Sequence, residues 1–459
     1  MSNRRHGRPS RPSTAAAGLL AFLWVLLGGP PGPSAGVPCR LARADEGGAP
    51  QPPPGPPGRW IDEQTPPAGG EGWPRTCSLR DPVCLFAAPG TSPSFTLSAL
   101  RSAERSWETL TGTLAAPPPD PAGDGAWDVY LVARSGHGTG PDVEPWADGT
   151  ALLAGRDVVS RLDRGSSFAL VDRATPAGCR LDLALARAVA RGSLLRTAPA
   201  TDPGTATAVT EALALLATPC ASGAPDTAVF QAHPERTPVD PFDAAFDRGA
   251  AMLFGWVDAR FGASAGWLLD GLVALSPTRT PAGSRWPRRP TAFDVMRMSL
   301  RDRLFEGSTF DDVVVRFAVE RASAEPPARV GWQIGWPDHP RRLLDPTPVA
   351  PLGAAYVVID TARRSARDSL LLEADWEDYG RMRWVVVKQD ALGAPLAEIP
   401  MGSLDKGTHA SLTVEALEAT TRVVVVGVDV GDTEAPFDPA AGEWEPHGWM
   451  LTLSPEKSP

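Results

Sequence analysis

The chain has 459 residues, 42% of them hydrophobic, which is enough for two ordinary domains with their own cores. Its formal net charge is -10, and of its 44 basic residues only Lys388, Lys406 and Lys457 are lysines. No basic tract follows the N-terminal leader, so the composition argues against nucleic acid as a partner.

Arg4, Arg5, Arg8 and Arg11 precede an apolar run from Ala15 to Leu27, then a Pro/Gly break and the small-residue triplet Ala42-Arg43-Ala44. That is the layout of a secretory signal over residues 1–44, cleaved before Asp45. The run is shorter than the ~20 residues of a spanning helix. No later stretch is long and apolar enough, so the expectation is an exported chain, periplasmic or extracellular, with no membrane span after cleavage. Gly36-Val37-Pro38 ahead of Cys39 lacks the aliphatic residue that opens a lipobox. Loss of the leader removes Cys39 and leaves Cys77, Cys84, Cys179 and Cys220. An even count in an exported chain predicts two disulfides, and sequence order favours Cys77 with Cys84 and Cys179 with Cys220 among three connectivities. No Cys-x-x-Cys pair is present, which argues against thiolate zinc sites and redox catalysis.

Residues 45–76 read as a linker: the Pro/Gly content around Pro52-Pro53-Pro54 and Pro56-Pro57 cannot sustain a core. In residues 77–325, apolar periodicity predicts a helix over Ser94–Leu110, capped by Ser94 or Thr96, and short strands over Trp127–Val132 and Phe168–Val171. Helices follow over Leu181–Leu195, Thr205–Ala217, Phe242–Phe261, Ala265–Leu275, Ala292–Leu304 and Phe310–Ala322. A small sheet followed by many helices is an α+β pattern. Asp311 and Asp312 open the last helix, where its dipole favours negative charge. Residues 326–350 form a connector crowded with Pro326, Pro327, Pro337, Pro340, Pro346 and Pro348. Residues 351–459 carry strand signals over Ala355–Ile359, Ser369–Ala374, Met382–Gln389, Ala410–Val414, Arg422–Asp429 and Trp449–Leu453. Their spacing predicts an all-β sandwich. No repeat of 20 to 50 residues is visible.

The helix Cys179-Arg180-Leu181-Asp182-Leu183-Ala184-Leu185-Ala186-Arg187-Ala188-Val189 has the apolar setting of a zinc-peptidase helix without its chemistry. A His-Glu-x-x-His helix sets two imidazoles one turn apart with a general base between them. Farther on come Asp247 to Gly262, Phe310 to Ala318 and Pro351 to Tyr356. With these segments the chain, over roughly Ser94 to Leu453, resembles a family of secreted metalloproteases described from myxobacteria and related bacteria. That family pairs a zincin domain of the gluzincin type with a C-terminal β-sandwich. The resemblance implies a zincin-like domain in which the first metal ligand falls on Leu183, the general base on Ala184, the second ligand on Arg187 and the third on Glu211. Leucine and alanine offer no donor atom, and arginine stays cationic. Only Glu211 retains the expected chemistry, so the positions are read as vestigial, with no catalytic residue, metal or cofactor. Glu211 either lies on an exposed edge or is buried with a partner. Arg187 is the expected partner, because a guanidinium engages a carboxylate bidentately without a metal.

Other constellations are weaker. His137, His233, His339, His409 and His447 include no two at ligand spacing. Gly136-His137-Gly138-Thr139-Gly140 suggests a dinucleotide loop, but Pro141 and Pro145 deny the helix that would hold the phosphates. Asp429, Asp432 and Asp438 could bind calcium, though their spacing matches no EF-hand, and a solvated loop explains them as well. Trp332, Trp336, Trp376, Trp384, Trp444 and Trp449 could form a platform for sugars or peptides, or fill the sandwich core. Three functions follow: a non-catalytic exported protein in a binding or envelope role with an unknown protein, peptide or glycan ligand; a zinc peptidase recruiting His137 or His233 beside Glu211; or a carbohydrate- or peptide-binding protein acting through the sandwich.

Overall fold

The computed structural model describes residues 64–456 apart from 122, 134–148, 160–161, 200, 219–223, 240–242, 262–290, 303–308, 325–327, 345–346, 363, 365–367, 404–406 and 432–444. The fold is α+β with a β-rich C-terminal part. Strands β1 (Arg75–Cys77), β2 (Val83–Ala87), β3 (Trp127–Val132), β4 (Thr150–Val159) and β5 (Leu162–Asp172) form one sheet in the order β1-β2-β3-β5-β4. The three inner strands are parallel and both edge strands antiparallel. Val83, Leu85, Val129, Leu131 and Val171 pack on one face against α1 (Pro93–Trp107) and α2 (Cys179–Thr197). Cys84, Phe86, Tyr130, Phe168 and Leu170 form a second cluster on the other face. Burial on both faces is why β2 reads as an unbroken apolar run and not as an alternation.

The stretch before β1 has no core of its own but packs on that second face. Gln64 N–H donates to the Leu153 carbonyl at 2.8 Å. Gly70 lies so close to Tyr130 that a Cβ there would stand 2.8 Å from the ring. Trp73 meets the same ring edge-on at 6.1 Å. Part of the stretch read as linker is therefore packed chain.

Helix α1 starts two to four residues ahead of its predicted caps. Pro93 occupies its first position, and the Ser92 hydroxyl accepts from Phe95 N at 3.2 Å, so neither Ser94 nor Thr96 caps it. It runs into a π-helical turn over Glu108–Thr113. Then come α3 (Pro203–Ala217), α4 (Ala224–Ala232), α5 (Ala244–Phe261), α6 (Ala292–Asp302) and α7 (Phe310–Ala322). Asp202 caps α3 by accepting from Thr205 N at 2.8 Å. Thr309 and Asp312 close a reciprocal capping box on α7. The helix expected over 265–275 lies outside the described residues. Among these helices, none is long and apolar enough to cross a membrane.

The C-terminal part is a β-sandwich. One sheet contains β6 (Trp332–Gly335), β8 (Ala354–Asp360), β10 (Met382–Gln389), β11 (Pro395–Pro400) and β14 (Arg422–Asp429), in the order β11-β10-β14-β8-β6. The other contains β7 (Arg341–Leu344), β9 (Ser369–Trp376), β12 (Gly402–Ser403), β13 (His409–Val414) and β15 (Trp449–Glu456), in the order β12-β13-β9-β15-β7. Strands β6 and β7 come from the Pro-rich connector. Both are four-residue edge strands, where flanking prolines cost no ladder hydrogen bond.

The sandwich core takes alternate residues of both sheets, among them Val357, Val386, Val423, Val425, Leu372 and Leu451. The intervening residues Tyr356, Val385, Val387, Val424, Val426 and Val428 belong to the same apolar cluster as α5 and α7. The Tyr356 hydroxyl donates to the Ala318 carbonyl of α7 at 2.8 Å. Strands β8, β10 and β14 of the first sheet are thus buried on both faces while its edge strands β6 and β11 are partly exposed, and β9 in the second sheet alternates buried and half-buried residues.

Gly427 interrupts the valines of β14 because Trp384 lies flat on it. An added Cβ would stand 2.6 Å from two ring atoms. Gly427→Ala is expected to lower stability by about 1–3 kcal/mol, read as a reduced denaturation midpoint with an unchanged m-value.

Candidate functional site

Helix α2 turns two apolar faces inward. Leu181, Ala184, Leu185 and Ala188 join the main core, while Leu183 and Ala186 form a separate cluster with Ala214 of α3. Asp182 in the first turn accepts from Ser102 and Arg105 of α1, which anchors the start of α2. Leu183 and Ala184 are 2% and 0% exposed. Gly149, at φ 78°, lies against the Ala184 carbonyl so closely that a Cβ there would fall 1.8 Å from the oxygen. The backbone of Ala184 is therefore closely covered by the chain at Gly149.

One turn after Leu183, Arg187 reaches across to α3. Its Nη2 donates to Glu211 Oε1 at 2.7 Å, and its Nε donates to Glu211 Oε2. The side chains are 18% and 4% exposed, so Glu211 lies on no exposed edge. A carboxylate this buried needs a charged, hydrogen-bonding partner, and the planar guanidinium fork meets both oxygens at once. Each Glu211 oxygen accepts from Arg187, whose fixed positive charge stands where a metal cation would have to approach. The residues at Leu183, Ala184, Arg187 and Glu211 do not fit a zinc ion.

The histidines are elsewhere. His233 Nδ1 lies 3.2 Å from Glu235, His409 Nδ1 lies 2.9 Å from Asp375, and His339 is exposed. His137 lies outside the described residues. Among those described, no group of three or more His, Cys, Asp or Glu side chains is set to hold a metal. Gly262-Ala263-Ser264-Ala265-Gly266 matches a nucleophile-elbow pattern, but it follows helix α5 directly, whereas an elbow follows a strand. Of the sandwich tryptophans, Trp336, Trp376, Trp384 and Trp449 are buried in its core and Trp332 packs against it. These four form no exposed platform; Trp444 lies outside the described residues.

The Cys77–Cys84 disulfide joins directly paired residues of β1 and β2. Cys179 is also disulfide-bonded, and Cys220 lies outside the described residues.

Two polar groups take roles that sequence reasoning did not assign to them. Asp429 is fully buried; its Oδ1 accepts from Gly431 N at 2.8 Å, and its Oδ2 meets His447 Nδ1 at 2.7 Å. With both oxygens engaged, Asp429 is a partner for histidine and not a free calcium ligand; Asp432 and Asp438 lie outside the described residues. Asp128 shares the aromatic face of the first sheet with Tyr130. Burial, reinforced by the charge of Asp124, pushes its carboxyl up to about 6. Burial and the adjacent Asp128 push the Tyr130 hydroxyl up to about 12. The one signal in the sequence was a lone Asp inside the apolar strand Trp127–Val132.

No family model matches the chain, and no curated protein does. Similar solved structures cover short parts of it. The pre-peptidase C-terminal domain of collagenase from Bacillus anthracis is 11% identical, covering 28% of this chain and 97% of that one, with a TM-score of 0.18. PliG from Aeromonas hydrophila, a periplasmic lysozyme inhibitor of g-type lysozyme, is 8% identical over 28% and 100%, with a TM-score of 0.18. A CBM4 structure is 12% identical over 27% and 96%, with a TM-score of 0.15. At these TM-scores none of the likenesses supports an inference about the chain.

Breaking the α2–α3 ion pair leaves a buried charge alone. Arg187→Met is expected to cost about 3–5 kcal/mol, and the double variant Arg187→Met with Glu211→Leu to recover most of that loss, as read by urea denaturation at pH 7. The hydrogen bond from His447 to Asp429, aided by the charges of Asp429, Glu377 and Glu445, holds the imidazole above its ordinary pKa of 6.5. Because the folded value is the higher one, this stabilisation is complete below about 6.5 and is lost as pH rises through the raised value. Relative to the parent, His447→Gln should therefore lose more stability at pH 5.5 than at pH 9.

Proposed function

We propose that this protein is an exported, non-catalytic relative of the secreted metalloproteases it resembles, serving a binding or envelope role toward a protein, peptide or glycan. The observation that carries this reading is the bidentate Arg187–Glu211 pair. It consumes the one remaining carboxylate of the expected ligand set, and Leu183 and Ala184 beside it are buried without donor atoms. The N-terminal leader and the Cys77–Cys84 disulfide support export, since disulfides persist in oxidising compartments. Leu183 and Ala184 are packed among apolar side chains, so neither is offered to a ligand. Binding then falls to other surfaces of the same scaffold, because fold and chemistry rest on different residues.

Elemental mass spectrometry of the purified chain after dialysis against a weak chelator tests this reading. Less than about 0.1 zinc per chain is expected, since a structural or catalytic zinc site binds its ion stoichiometrically. Near-stoichiometric zinc, with peptide cleavage that a strong chelator abolishes, would overturn the proposal.

A further inference from the structure

The two sulfurs of the β1–β2 disulfide have unlike surroundings. Cys77 is exposed on edge strand β1, whereas Cys84 on β2 is 3% exposed. Arg75 Nη2 donates to Cys84 Sγ at 3.2 Å. That guanidinium is held in place by an ion pair with Asp124 and by the Phe86 ring, whose centroid lies 5.5 Å away. Asp128 stands beside Cys84 in the register of β2 and β3, where a carboxylate charge disfavours a thiolate that Arg75 favours.

We infer that Cys77–Cys84 is a regiospecific thiol-exchange site, attacked at Cys77 by a small thiol, with Cys84 as the leaving group. An incoming thiolate bonds to Cys77 Sγ while the Cys77–Cys84 bond breaks. The electron pair leaves on Cys84 Sγ, where the thiolate accepts the Arg75 hydrogen bond. Return attack by Cys84 on Cys77 expels the small thiol as its thiolate and restores the disulfide. Exchange is faster when the attacked sulfur is accessible and the leaving thiolate is stabilised by a cation. The hairpin does not depend on the bond. Ser78 N donates to the Val83 carbonyl at 2.9 Å and Val83 N to the Asp81 carbonyl at 2.7 Å. Arg80 N and Asp81 N both donate to Ser78 Oγ at 3.1 Å, and that hydroxyl donates to Glu104 at 2.6 Å. Strand β2 also stays paired with β3.

The test is native incubation of the purified protein with reduced glutathione, an acid quench, alkylation and peptide mass mapping. Glutathione is expected on Cys77 and the alkyl group on Cys84, with an unchanged far-ultraviolet circular dichroism spectrum. Arg75→Gln should slow the exchange severalfold, and Asp128→Asn should speed it. Neither should change exchange at the Cys179 disulfide, which a general loosening of the fold would accelerate. Glutathione on Cys84, exchange only after unfolding, or any result other than opposite effects of the two variants overturns the inference.

Discussion

Three central strands of one β-sheet, buried on both faces, hold the described structure together. Strands β8, β10 and β14 give one set of side chains to the sandwich and the other set to helices α5 and α7. Neither part can bury its apolar surface without this shared sheet, and the hydrophobic gain scales with the area both faces remove from water. The valines of β14 are the visible consequence. An unbroken run suits a strand buried on both sides, whereas alternation in β9 suits one side facing water.

Close packing around that sheet forces decisions about charge. Arg321 of α7 is 3% exposed, and the hydrogen bonds that hold it go to neutral groups. Burial pulls its pKa down to about 10. It persists because its Nε donates to Gln231 at 2.6 Å, its Nη2 to the Phe230 carbonyl, and its guanidinium stacks 3.8 Å from the Phe230 ring centroid. Arg187 solves the same problem with a carboxylate, and Asp429 with a histidine. In each case a buried ion is tolerable only because nearly every donor or acceptor finds a partner. Such groups look like candidate sites in a sequence, and in this chain they are mostly internal fastenings.

The legible elements are those whose signal is local. Helix α7 appears over its predicted residues because a Thr-Phe-Asp-Asp start and an apolar stripe agree. Strands β8, β9, β10, β13, β14 and β15 fall on their predicted segments to within three residues, since β-branched runs bounded by Gly and Asp carry their own limits. Strand β4 was not legible: Thr150–Val159 mixes Gly, Arg and Asp into a sequence with no alternation, and it forms because β5 offers it a ladder. Strands β6 and β7 were hidden among prolines for the same reason. The Ser92 cap was missed because Pro93 sets the first helical position, which shifts the start ahead of the apolar stripe.

By itself the sequence determined which side chains carry donors, and so that Leu183, Ala184 and Arg187 cannot repeat a His-Glu-x-x-His site. It also determined the elements whose periodicity is their own, and it offered Arg187 as the partner for Glu211 should that carboxylate be buried; the packing of α2 on α3 decided the burial. Only the tertiary structure decided that Gly149 closes onto Ala184, that His447 finds Asp429, and that Arg75 rests on Cys84. Those contacts join residues 35, 18 and 9 positions apart through sheet register and helix packing. No local pattern encodes them, since each depends on where separate elements come to rest.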